Sequence, residues 1–180
     1  MPTILSHAAV PLAMGLGLGD RVISRPLLAV GILASVLPDL DVVAFRFHVA
    51  YSNTLGHRGA SHSLAFALLL ALLAMACARW LRTTPRSAFA FVGASAASHG
   101  LLDMLTNGGL GVALWWPLSP QRFFAPWQGI EASPLSLQRV FSARGWAVFQ
   151  SELLWVWLPA AACSLILWAL QRAYLKPRSV

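Results

Sequence analysis

Two short stretches hold much of the chemistry this sequence can offer: LGHRGASHS at 55–63 and SHGLLD at 98–103. In the second, His99 and Asp103 stand four apart, so a helix sets an imidazole and a carboxylate on one face. So placed, they can grip one divalent ion. His57 and His62 are five apart, which suits no continuous helix. Gly59 and Ser61 predict a turn into a capped helix start instead, from which both histidines reach inward. Asp39 and Asp41 follow Pro38 in LPDLD. Two apart after a proline, they suit an extended or turn segment where one carboxylate bridges metals and the other orients a ligand. His7 adds a fourth histidine in the first apolar stretch. Zinc accepts histidine nitrogen and aspartate oxygen, and a catalytic site leaves one position for water. Bound there, water falls to a pKa of ~7. Arg58, between the histidines, is the expected electrophile, since a guanidinium holds phosphate bidentately. Asp41 is the expected general base. The expected ligand set is His7, Asp39, Asp41, His57, His62, His99 and Asp103. Three aspartates keep manganese, iron and magnesium open beside zinc.

Each residue also has a plainer reading. His7 can be an interhelical hydrogen-bonding residue, either aspartate a helix cap, and His57 and Arg58 interfacial residues meeting lipid headgroups. His99 and Asp103 can simply hydrogen-bond to each other. His48, in RFHVAY, has no partner in the pattern.

The elements that must position these groups are membrane-like. The 180 residues are 58% hydrophobic and only 11% charged, against about 25% charged in a soluble domain. Such a chain has too little polar surface to face water all round. The expected fold is all-α, a single integral membrane bundle of about four or five helices with a long interfacial loop. Apolar helices are expected over about 4–19, 26–37 (or on to 47), 62–79, 87–106 and 151–171. Pro38 either ends the second or turns it into a broken helix lining a polar cavity. Asn107, Gly108 and Gly109 read as a C-cap for the fourth. Trp115, Trp116, Trp127, Phe123 and Phe124 place loop 107–150 in the interfacial belt, where it can roof a site. GLGLG at 15–19 and GASAAS at 93–98 supply small residues for close packing. Cys77 and Cys163 read as small buried hydrophobes.

The net charge of +7 is distributed as a topology signal rather than as a nucleic-acid surface. Arg21, Arg25, Arg79, Arg82, Arg86, Arg172, Lys176 and Arg178 lie in short connections and the tail. Arg46, Arg58, Arg122, Arg139 and Arg144 lie in the two long connections. The positive-inside rule makes the first set cytoplasmic. His7, Asp39, Asp41, His57, His62, His99 and Asp103 then share the extracytoplasmic side. Helix direction alternates, so this gathering of four of the five histidines and three of the six acids was not required.

The ordered set SHAAVPLA, LPDLD, GHRGASHS, ASHGLLDMLTNGG and WWPLSP resembles the membrane-bound metal-dependent hydrolases whose founding bacterial member is under LexA control. The resemblance covers roughly residues 1–128. It implies an inner-membrane protein with a hydrolase activity, and carries over His7, Asp39, Asp41, His57, Arg58, His62, His99 and Asp103. A fainter likeness to zinc-dependent phospholipase C lacks that family's N-terminal Trp and later His and HxxxE ligands, which implies one or two ions rather than three. The expected activity is hydrolysis of a phosphoester or lipid-linked ester, with membrane lipid as the surroundings. A divalent-metal transporter or sensor would continue its polar residues across the membrane. A structural membrane protein would tolerate His99→Ala.

Overall fold

The computed structural model describes residues 1–133 and 141–175; Arg139, Lys176 and Arg178, used for sidedness, lie outside them. The described residues are helical with no strand, carrying only isolated bridges between Thr106 and Ile130 and between Val112 and Phe123. Helices α1 (Ile4–His7) and α2 (Ala9–Leu18) form the first apolar segment, interrupted at Ala8. Helix α3 (Arg25–Val36) is capped by Ser24, whose hydroxyl accepts Leu27 N–H, and has proline in its first turn. It does not stop at Pro38. It tightens into a 3-10 segment, Leu37–Phe47, that carries both aspartates. His48 ends that segment, exposed and left-handed. A single 3-10 turn, Ala60–His62, leads into α4 (Leu64–Ala76), and α5 (Pro85–Met104) follows.

The fifth segment starts earlier than its hydropathy suggests. Helix α6 (Ala143–Glu152) runs through a π turn, Leu153–Trp157, into α7 (Leu158–Leu175). The first turns, ARGWAVFQSE, are too polar to register as a span, but Ser142 caps them. The helix ending at Met104 is not capped by Asn107. That side chain instead accepts Ala132 N–H at 2.9 Å, tying the loop to residues 130–132.

Helices α3, α4 and α5 pack through an alanine-rich seam of Ala34, Ala67, Ala74, Ala88 and Ala96 with Leu27 and Phe91. Small residues let the helix backbones approach closely. Helix α2 packs on α7, where a Cβ at Gly17 would sit 2.8 Å from the Ser164 carbonyl. Leu16, Leu33, Leu73, Leu165 and Ile166 face outward, all more than half exposed. Residues Arg25–Phe47 and Ala143–Ala173 are long and apolar enough to cross a membrane. Cys77 is half-buried and Cys163 exposed, both as free thiols, so the second is not the buried residue its apolar setting suggests.

Candidate metal centre

The polar residues scattered along the sequence meet at one end of this bundle. His7 comes from α1, Asp39 from the 3-10 segment, His62 from the turn before α4, and His99 and Asp103 from α5. His7, His99 and Asp103 have no exposed surface, and Asp39 and His62 are each 3% exposed. Close approach is built into the backbone here. A Cβ at Gly100 would lie 2.6 Å from the His62 carbonyl, so glycine lets α5 abut the His62 turn.

All but one of the contacts inside this cluster are longer than the usual hydrogen-bond range, and the exception stands at its upper edge. His62 Nε2 lies 3.2 Å from Asp103 Oδ2 and 3.7 Å from Asp39 Oδ1. His99 Nε2 lies 3.5 Å from Asp39 Oδ1 and 3.9 Å from Asp103 Oδ2. His7 Nε2 lies 3.7 Å from Asp39 and 3.8 Å from Asp103. Both Asp39 oxygens, Asp103 Oδ2 and the Nε2 atoms of His7, His62 and His99 are buried without a hydrogen-bond partner. Buried polar atoms are normally satisfied. Ligands bound at 2.0–2.2 Å around one ion stand roughly 3.4 Å apart if the shell is tetrahedral, and these separations bracket that spacing. Asp39, His62, His99 and Asp103 each offer an atom to one such position, so the residues fit a divalent ion.

Two of the histidines are also oriented as ligands are. His99 Nδ1 lies 2.7 Å from the Ser35 carbonyl, which can only accept, so Nδ1 carries the proton and the Nε2 lone pair points into the cluster. His62 Nδ1 faces Asp41 Oδ2 at 3.2 Å and Ser61 Oγ at 3.0 Å. A ligating imidazole characteristically donates its other N–H to a carboxylate or carbonyl. His7 stacks on His99 with ring centroids 3.7 Å apart, and both of its nitrogens lack a hydrogen bond. It flanks the set of four. Burial alone would lower the pKa of His62, but Asp103, Asp39 and Asp41 outweigh it and raise it to about 10. An imidazolium there takes the place of a cation.

Asp41 and His57 form a second, shallower group. Asp41 Oδ1 accepts from His57 Nδ1 at 2.6 Å, and Asp41 Oδ2 accepts from Ser61 Oγ at 2.6 Å. Ser61 is thus bonded to Asp41, while the cap of α4 is Ser63, which accepts Phe66 N–H. Asp41, His57 and His62 could together surround an ion. Their 2.6 Å contact is a hydrogen bond, though, and too short for two atoms sharing an ion. We read the group as a hydrogen-bonded rim.

Arg58 is fully buried and left-handed (φ 61°). Its Nε lies 3.2 Å from Asp103 Oδ2, NH1 donates to the Gly108 carbonyl at 2.7 Å, and NH2 donates to Thr106 Oγ1 at 2.8 Å. The guanidinium is turned to Asp103 and the end of α5, and its contacts there engage all three of its nitrogens. Two contributors escaped the sequence reading. Arg122, counted there only as a charge, donates to the carbonyls of His57, Tyr51 and Asn53 and pins the histidine loop beneath the aromatic segment. Glu152 is 4% exposed and accepts from the Thr3 backbone N–H, Thr3 Oγ1 and Ser6 Oγ, anchoring the segment that carries His7. An ionisable residue within the fifth apolar stretch was the available signal.

The sequence profile of the family described as YdjM inner membrane protein matches residues 1–175. Inner membrane protein YbcI of Escherichia coli K12 is 49% identical over 169 residues, covering 93% of this chain and 98% of that protein. No solved structure matches.

Proposed function

The chain belongs to the YdjM inner membrane protein family, and from that premise we propose a multi-pass metal-dependent hydrolase acting on a phosphoester or lipid-linked ester. The observation that carries this is the set of buried, unpartnered nitrogens and carboxylate oxygens converging from α1, the 3-10 segment, the His62 turn and α5. Asp39, His62, His99 and Asp103 would hold one divalent ion with His7 beside it, and two nitrogens with two oxygens suit zinc best. The ion would supply Lewis acidity and a lowered pKa for water.

The remaining residues act on the ligands and at the rim. Arg58 holds Asp103 in place, a positioning role in preference to a phosphate clamp. Asp41 accepts the Nδ1 proton of His57 and fixes the outer edge of His62. It thereby fixes the His57 ring, 2% exposed, beside the proposed ligands. The site would face the extracytoplasmic side. Arg58 and Arg122, counted against that orientation, are engaged within the protein, and Arg144 pairs with Glu131 at 3.1 Å.

The near-complete burial of the four ligands favours one second reading, a closed structural metal centre. A single assay separates the two. Purified wild type, chelated protein and His99→Ala are offered p-nitrophenyl phosphate, a phosphodiester analogue and phospholipid in mixed micelles. Hydrolysis that follows metal content supports the enzyme. Metal bound stoichiometrically, with no hydrolysis of any of these and a melting temperature that falls on chelation, would leave the structural centre.

A further inference from the structure

Resting on the hydrolase reading, we infer that the substrate is a membrane lipid. One of its hydrocarbon chains lies in the groove between the α3–3-10 segment and α4, with its polar head at the Asp41–Ser61 rim. A cavity of about 700 Å³ follows this seam. Leu33, Leu37 and Leu40 form one wall, Leu70 and Leu73 the other, and Trp80 stands at the far end. The surface is concave because its floor is small: Ala34 and Ala74 are both buried there, while leucines project on either side.

The groove leads to the rim. In a 3-10 helix three residues make a turn, so Leu37 and Leu40 share one edge while Asp39 points into the metal cluster. Asp41 follows Leu40 directly, and its carboxylate meets Ser61, on the turn that opens α4, at 2.6 Å. The two walls of the groove are therefore the two elements whose near ends are joined by the polar rim. At about 2.0 Å per residue, Leu37 lies roughly 8 Å along the segment from Asp41.

The occupant is set by chemistry and size. The lining is apolar apart from the Cys77 thiol and the Trp80 indole N–H at the far end, so it offers almost no partner to a head group, a sugar or a peptide backbone. Helix α4, with 13 residues, is on the order of 20 Å long, and one leaflet of hydrocarbon is about 15 Å deep. A helix is about 10 Å across, whereas a single hydrocarbon chain is narrow enough to lie along the alanine floor between the leucine walls.

The test uses two photoreactive phosphatidic acids in nanodiscs, with a diazirine near the head of one acyl chain or at its end. Cross-linked residues are mapped by mass spectrometry, and metal content is measured on the same samples. On wild type the head-proximal probe should label Leu37 and Leu40, and the chain-end probe Leu73 to Trp80. The double variant Ala34→Phe, Ala74→Phe fills the floor. It should lower groove labelling roughly tenfold, the worth of about two buried methylenes, while leaving metal content and labelling of Leu165 and Ile166 on α7 unchanged. Labelling that is as strong on α7 and shows no head-to-tail order would overturn the inference, as would cross-links joining two copies of the chain through this seam. The wild-type order decides the matter even if the double variant fails to fold. Metal bound with unordered labelling leaves the hydrolase standing and removes the lipid chain. Ordered labelling in wild type that takes up no metal keeps a lipid seat but removes it as a substrate site.

Discussion

The two polar groups at the end of the bundle share His62, yet they are satisfied in opposite ways. In the rim, Asp41, His57 and Ser61 pair at 2.6 Å, each donor meeting an acceptor. In the cluster beneath, the nearest nitrogen–oxygen separations among Asp39, His62, His99 and Asp103 run from 3.2 to 3.9 Å, and the atoms facing inward have no hydrogen bond. Burying polar atoms unpaired is costly. The rim is complete as protein alone, whereas the inner cluster leaves its inward-facing nitrogens and oxygens without hydrogen bonds. Arg58 offsets part of the Asp103 charge at 3.2 Å, and a proton on His62 or a bound ion would supply the rest.

This contrast can be broken most severely at Asp103. Asp103→Ala should abolish metal binding and also strand the buried Arg58 guanidinium. A loss of about 3–5 kcal/mol of stability is expected, read by chemical or thermal unfolding in detergent. The pH dependence follows next. His62 lies on the turn before α4, and in metal-free protein its pKa is raised to about 10 from 6.5. A raised pKa gives stability that is full below 6.5 and is lost as pH climbs through 10, so chelated protein should melt progressively lower across that window. An ion must displace the same proton, so metal affinity should strengthen over that range; calorimetric titration at several pH values measures it. Asp41→Asn touches the cluster only through His62 Nδ1. It should weaken metal affinity about 10–100-fold without changing stoichiometry at saturation. His57→Ala should do least, lowering stability by about 1 kcal/mol and leaving metal content intact, while any hydrolysis falls.

The sequence disclosed those parts of the site that depend on local period. His99 and Asp103 are four apart on a helix, and they share a face as that spacing requires. The one-sided gathering of His7, Asp39, His57 and His62 followed from alternating helix direction and proved spatial. Asp39 and Asp41 could not be told apart in this way. Their division between cluster and rim comes from the 3-10 winding after Pro38, where residues two apart are turned about 240° and face different ways. Arg58 looked like a phosphate clamp because charge and position are visible in sequence, whereas its contacts with Asp103, Thr106 and Gly108 depend on residues 45 or more positions away. Arg122 was illegible for the same reason. The start of α6 was missed because its first ten residues are amphipathic instead of apolar, so a hydropathy reading began at 151.

The central claim is that the inner cluster holds an ion. It is tested most directly by elemental mass spectrometry on protein purified without chelators and then supplied with zinc and manganese. Wild type should carry about one equivalent of a divalent metal, and a folded His99→Ala, Asp103→Asn variant should carry none. Wild type that stays metal-free after both additions, with its fold intact, would contradict the account, and His62 would then be a protonated structural residue held among carboxylates.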